Sequence, residues 1–105
     1  MPYLAPLPEP APVVIMRDIG ADYASYLRQT DMYRAGNREV RLGECRSACT
    51  LALSLPRVCV YKSSILRFNQ IFDQDSREID VAATDALFRS YPVKVRAHLG
   101  YTQIP

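Results

Sequence analysis

Residues 43–50 read "GECRSACT", and the apolar run "LALSL" follows at 51–55. Just upstream, "EVRLG" (Glu39 to Gly43) reads as a strand, and Ser47 to Leu55 reads as a short apolar helix halted by Pro56. Ser47 therefore falls where a strand becomes a helix. In open α/β sheets this is where ligands gather, outside the carboxyl ends of the strands. A serine there has two physical uses. It can cap the helix by accepting a bond from a backbone N–H two or three residues on. Alternatively, its hydroxyl can face a cleft in which the free N–H groups of the first helical turn hold an oxyanion.

Working outward, "VVIM" (Val13 to Met16) has the all-apolar character of a strand buried on both faces. Asp18 and Gly20 turn the chain. From Ala21 to Ala35, Tyr23, Tyr26, Leu27, Thr30 and Tyr33 recur at helical spacing, and Gly36 supplies a stop. "VCVY" (Val58 to Tyr61) and "ILRF" (Ile65 to Phe68) read as two further strands, and "DQDSREID" (73–80) as a polar, acidic loop. A last helical stretch starts near Val81, is interrupted at Pro92 and ends at Gly100. The order is strand, helix, strand, helix, strand, strand, helix (βαβαββα). It implies an α/β fold with a mostly parallel sheet and covering helices.

Composition bounds the rest. The 105 residues form one domain, 13–105, preceded by a proline-rich arm, 1–12, with prolines at 2, 6, 8, 10 and 12. The arm has neither a basic nor a continuous apolar region, so it is not read as a signal peptide. No apolar run approaches the roughly 20 residues of a membrane span. A net charge of +2, with arginines scattered among acids, argues against a nucleic-acid partner. No glycine-rich phosphate loop and no cofactor motif are present. Cys45 and Cys49 are poorly spaced for zinc, and Asp73, Asp75, Glu78 and Asp80 lack the pattern of a calcium loop, so no metal is expected. His98, the single histidine, reads as a surface or packed residue of the last helix.

The stretch 40–70, "VRLGECRSACTLALSLPRVCVYKSSILRFNQ", resembles a group of predicted periplasmic bacterial proteins related to Clp protease, within the Clp protease/crotonase fold. That group carries a Gly-x-Cys-x-Ser-Ala-Cys-Thr signature, matched by Gly43, Cys45, Ser47, Ala48, Cys49 and Thr50. A Cys-Val strand follows, matched by Cys59 and Val60. "DIGADYASYL" is similar to its double-glycine turn and helix, and "YPVKVRAHLG" to its Tyr-Pro helix. The likeness spans roughly residues 13 to 102.

The resemblance implies Ser47 as nucleophile, with oxyanion donors from the backbone of Ala48 and of the turn at Gly20 and Ala21. The family's base is the histidine of a Phe-His pair, where this chain has Asn69. Asparagine orients a hydroxyl but does not accept its proton at neutral pH. The family's acid would fall near or beyond Pro105. The implied function is a catalytically degenerate, periplasmic or secreted binding or assembly module. Its expected partners are further copies of itself and a peptide or acyl ligand. The rivals are a serine hydrolase built on Ser47 and a crotonase-like acyl-thioester binder. Three cysteines allow at most one internal disulfide. Exported relatives imply that one forms, joining Cys59 to Cys45 or Cys49.

Overall fold

The computed structural model describes residues 11–20 and 22–100. The proline-rich stretch 1–10, Ala21 and residues 101–105 lie outside the described residues. The chain forms an α/β fold on a three-stranded parallel sheet. Strands β1 (Val13–Asp18), β2 (Val40–Arg46) and β3 (Val58–Arg67) lie in the order β1-β2-β3. Helix α1 (Tyr23–Ala35) joins β1 to β2, and a 3-10 helix (Ser47–Ser54) joins β2 to β3. Helices α2 (Val81–Arg89) and α3 (Val93–Leu99) complete the chain.

Burial explains the layering. β2 is central, and its Val40, Leu42 and Cys45 are all 0% exposed. The 3-10 helix is buried from Ala48 to Leu53, as a segment that is apolar all round must be. It lies against β2, β3, α1 and α2. Tyr23, Tyr26 and Tyr33 of α1 pack against this core from outside, as does Phe88 of α2. Asp22 starts α1 by accepting from the Ser25 N–H, and Asp80 starts α2 by accepting from the Ala83 N–H at 2.9 Å. Gly36 ends α1 with its N–H on the Met32 carbonyl, but the left-handed position there belongs to Asn37, at φ 50°.

Three expectations change. The two strands expected at 58–61 and 65–68 are one strand, β3, with a bulge inside it. β2 steps from Leu42 to Glu44 while β3 runs from Val60 to Ile65. Ser64 closes the bulge: its hydroxyl donates to the Leu42 carbonyl at 2.6 Å and accepts the Tyr61 N–H at 2.7 Å. Next, the helix after Ser47 is a 3-10 helix, the tighter form favoured in short pieces. Lastly, β1, expected to be buried on both faces, is an edge strand in which Val14 is 46% and Met16 71% exposed. The terminal helix is interrupted at Pro92 as expected, because proline has no N–H to continue α2 and disfavours helix in the residue before it.

Gly43 marks a break in the sheet's alternation, since Leu42 and Cys45 both face inward. A Cβ at Gly43 would sit 2.6 Å from the Met16 carbonyl oxygen, so only glycine lets β1 and β2 approach here. No helix among the described residues is long and apolar enough to cross a membrane.

Candidate functional site

The sheet's carboxyl end brings together the turns that follow β1 and β2. Ser47 leaves β2 with φ at 53°, a left-handed conformation uncommon for a residue with a Cβ. Gly20, after β1, has φ at 82°. A Cβ on Gly20 would lie 2.7 Å from the Arg46 carbonyl oxygen, 2.9 Å from the Ser47 Cβ and 3.3 Å from the Ala48 nitrogen. The two turns are therefore in van der Waals contact. Gly20 and Ala48, named with Ser47 from the sequence, are neighbours in space; Ala21 lies outside the described residues.

Both turns are pinned from within the fold. Asp18 accepts the Gly20 N–H at 2.8 Å and the Tyr26 hydroxyl at 2.5 Å, which ties the first turn to α1. Burial together with the Asp18 carboxylate drives the Tyr26 phenol well above its ordinary value. On the other side, the Thr50 hydroxyl donates to the Ser47 carbonyl at 2.6 Å. That uses its only proton, so in the 2.5 Å contact between Thr50 and Tyr91 the Tyr91 hydroxyl is the donor. Tyr91 is 2% exposed and set against Phe68 and Phe88, with ring centroids at 5.3 and 5.5 Å. Burial pushes its phenol from 10.0 up to about 12.

Ser47 does not cap the helix. The cap position falls on Arg46, which makes no side-chain cap bond, and Ser47 is already the first helical residue. Its side chain instead borders a cleft of about 180 Å³ lined by Ile19, Gly20, Ser47, Gln70, Ile71, Phe72 and Gln74. Asn69 is exposed and does not line this cleft; the next residue, Gln70, does. His98 is exposed on α3 and does not line it either. No described residue that lines the cleft can take a proton from Ser47 at neutral pH, since its polar side chains are the Ser47 hydroxyl and two amides. The arrangement suits recognition of a small polar group, such as a carbonyl, between apolar walls.

The cysteine pairing is corrected. Cys45 and Cys49 form the disulfide, with Cα atoms 5.4 Å apart, and Cys59 is a free, exposed thiol. The strand register supplies the reason. Cys59 stands opposite Arg41, while Cys45 stands opposite Leu66 at the far end of β3. Cys45 and Cys49 instead face each other across the Ser47 turn, both buried. The disulfide therefore encircles the turn that bears Ser47.

Gln70, Phe72 and Gln74 escaped the sequence reading. Their signal was positional: "NQIFDQ" follows directly on the strand next to Ser47. Among the described residues, no group of three or more His, Cys, Asp or Glu side chains is placed to hold a metal ion. Compared with protein-family models, with curated proteins and with solved structures, the chain matches none.

Proposed function

We propose that this chain is a catalytically silent binding module of the Clp protease/crotonase type, exported to the periplasm or secreted, in which the Ser47 turn holds a carbonyl of a peptide or acyl ligand without cleaving it. One observation carries the reading: Ser47 is held at a positive φ against Gly20, in a cleft whose other polar side chains are the amides of Gln70 and Gln74. A left-handed serine costs of order 1–3 kcal/mol, and such strain persists where a site needs the geometry. Activating the serine as a nucleophile requires a base, and amides supply none. The Cys45–Cys49 disulfide agrees with an oxidising compartment.

The test is intact mass after treatment with a fluorophosphonate, on the native chain, Ser47→Ala and Asn69→His. The module predicts no adduct on any of the three, because position 69 lies outside the cleft. An adduct on the native chain that disappears in Ser47→Ala would establish the hydrolase instead. Titration with N-acetyl dipeptide amides, followed by the backbone amide signals of Gly20 and Ala48, then reads binding directly. Those two signals should move while Val40 stays still.

A further inference from the structure

Among the described residues, no helix covers the face of the sheet opposite the 3-10 helix. Parallel sheets are ordinarily covered on both faces, yet here Met16 is 71% exposed, Ile65 48% and Tyr61 41%. With Gly43, Glu44 and Ser63 they line a groove of about 440 Å³. Its rim is cationic. Glu44 pairs with Arg17 at 2.9 Å and also with Arg46. Arg67 stands in register beside Arg46, two residues beyond Ile65 and so on the same face. It forms no ion pair with another described residue. Two arginines thus share one carboxylate and a third stands beside them around an apolar groove, which calls for an apolar, acidic occupant.

The chain carries such a surface elsewhere. Between β3 and α2, Phe72 and Ile79 pair in an antiparallel bridge that closes a finger of chain. The Asp73 N–H on the Glu78 carbonyl and the Arg77 N–H on the Asp73 carbonyl hold it shut. The Asp73 carboxylate accepts from the N–H groups of Asp75 and Ser76, both at 2.9 Å. Phe72 is 54% and Ile79 43% exposed. Asp73, Asp75 and Glu78 outnumber Arg77, so the finger is acidic where the groove is basic. Because the finger is already ordered, docking it costs little conformational entropy.

We propose that the acidic finger of one copy docks into the arginine-rimmed groove of a second copy, head to tail. Finger and groove are different surfaces of one chain, so the contact is heterologous, and its repetition gives a closed ring or an open filament. Phe72 and Gln74 of the finger also line the Ser47 cleft, so docking engages one wall of that cleft, but it needs no reaction at Ser47.

Sedimentation velocity on the full chain tests it. The native chain should associate as its concentration rises, and less so in high salt. Arg67→Glu disables the groove and Asp75→Arg the finger; both side chains are exposed, and circular dichroism checks the fold of each variant. Each should weaken association by about tenfold or more. Mixed in equal amounts, the two variants should form a one-to-one dimer that grows no further, because one retains a working finger and the other a working groove. A native chain that stays monomeric at its highest soluble concentration would overturn the proposal. So would a mixture that stays monomeric, or assembly that only one of the two substitutions disturbs.

Discussion

Ser47 and Gly20 are the two residues whose backbones bring the site together, and they respond to substitution in opposite ways. Gly20→Ala places a methyl 2.7 Å from the Arg46 carbonyl oxygen at φ 82°, so it should cost about 2 kcal/mol or more. Ser47→Gly removes a left-handed penalty and should leave the midpoint of urea unfolding unchanged or raised; a clear loss of stability would show that Ser47 is not strained. Tyr91 yields a pH prediction. Its phenol rises from 10.0 to about 12 in the folded chain, so the folded state retains a proton that the unfolded state releases. The resulting stability is fully present below pH 10.0 and is lost as pH climbs through about 12. Urea midpoints across that window should fall for the native chain and fall less steeply for Tyr91→Phe. Tyr91→Phe should itself cost about 1 kcal/mol at neutral pH through the lost bond to Thr50. Ser47, Gly20 and Asp18 stood out in the sequence as turn residues, because a glycine, the flanking cysteines and the apolar run after Ser47 are local signals. That Asp18, Tyr26 and Tyr91 pin the two turns depends on contacts across the fold and leaves no local trace.

At the scale of elements, the Cys45–Cys49 disulfide joins the end of β2 to the 3-10 helix. It closes a very short loop, for which chain entropy allows about 2 kcal/mol. Cys45→Ala/Cys49→Ala should lower unfolding stability by about that amount, and a reductant should do the same to the native chain but not to the double variant. Iodoacetamide on the folded, unreduced chain should modify Cys59 alone, and peptide mapping reads this directly; modification of Cys45 or Cys49 would refute the pairing. The boundaries of most elements were open to sequence reading. Val13 and Val58 begin strands that apolar runs announce, the strand at Val40 was legible from Glu39 in "EVRLG", and Pro56 and Pro92 stop helices for covalent reasons. The β3 bulge was not open to it. "YKSS" (61–64) looks like a gap between two strands, and only the paired hydrogen bonds of Ser64 with Leu42 and Tyr61 show that the strand continues.

Among the described residues the molecule is a sheet covered by helices on one face and not on the other, with its candidate ligand cleft at the carboxyl ends of the strands. If head-to-tail docking occurs, that second face is the joint, and self-association and salt sensitivity travel together. By itself the sequence determined the α/β class, the strand and helix order through the 3-10 helix, and Ser47 as the strand-to-helix turn. These rest on periodicity, proline and glycine punctuation, and local spacing, all of which act over a few residues. Tertiary structure alone decided that Gly20 touches Ser47, that Gln70 rather than Asn69 enters the cleft, that Cys49 rather than Cys59 meets Cys45, and that the described helices leave one face uncovered. Each of these depends on strand register and on which side of the sheet a side chain emerges. Shifting by one residue reverses the face, and Gly43 and the β3 bulge introduce such shifts, so no local pattern could have supplied the answer.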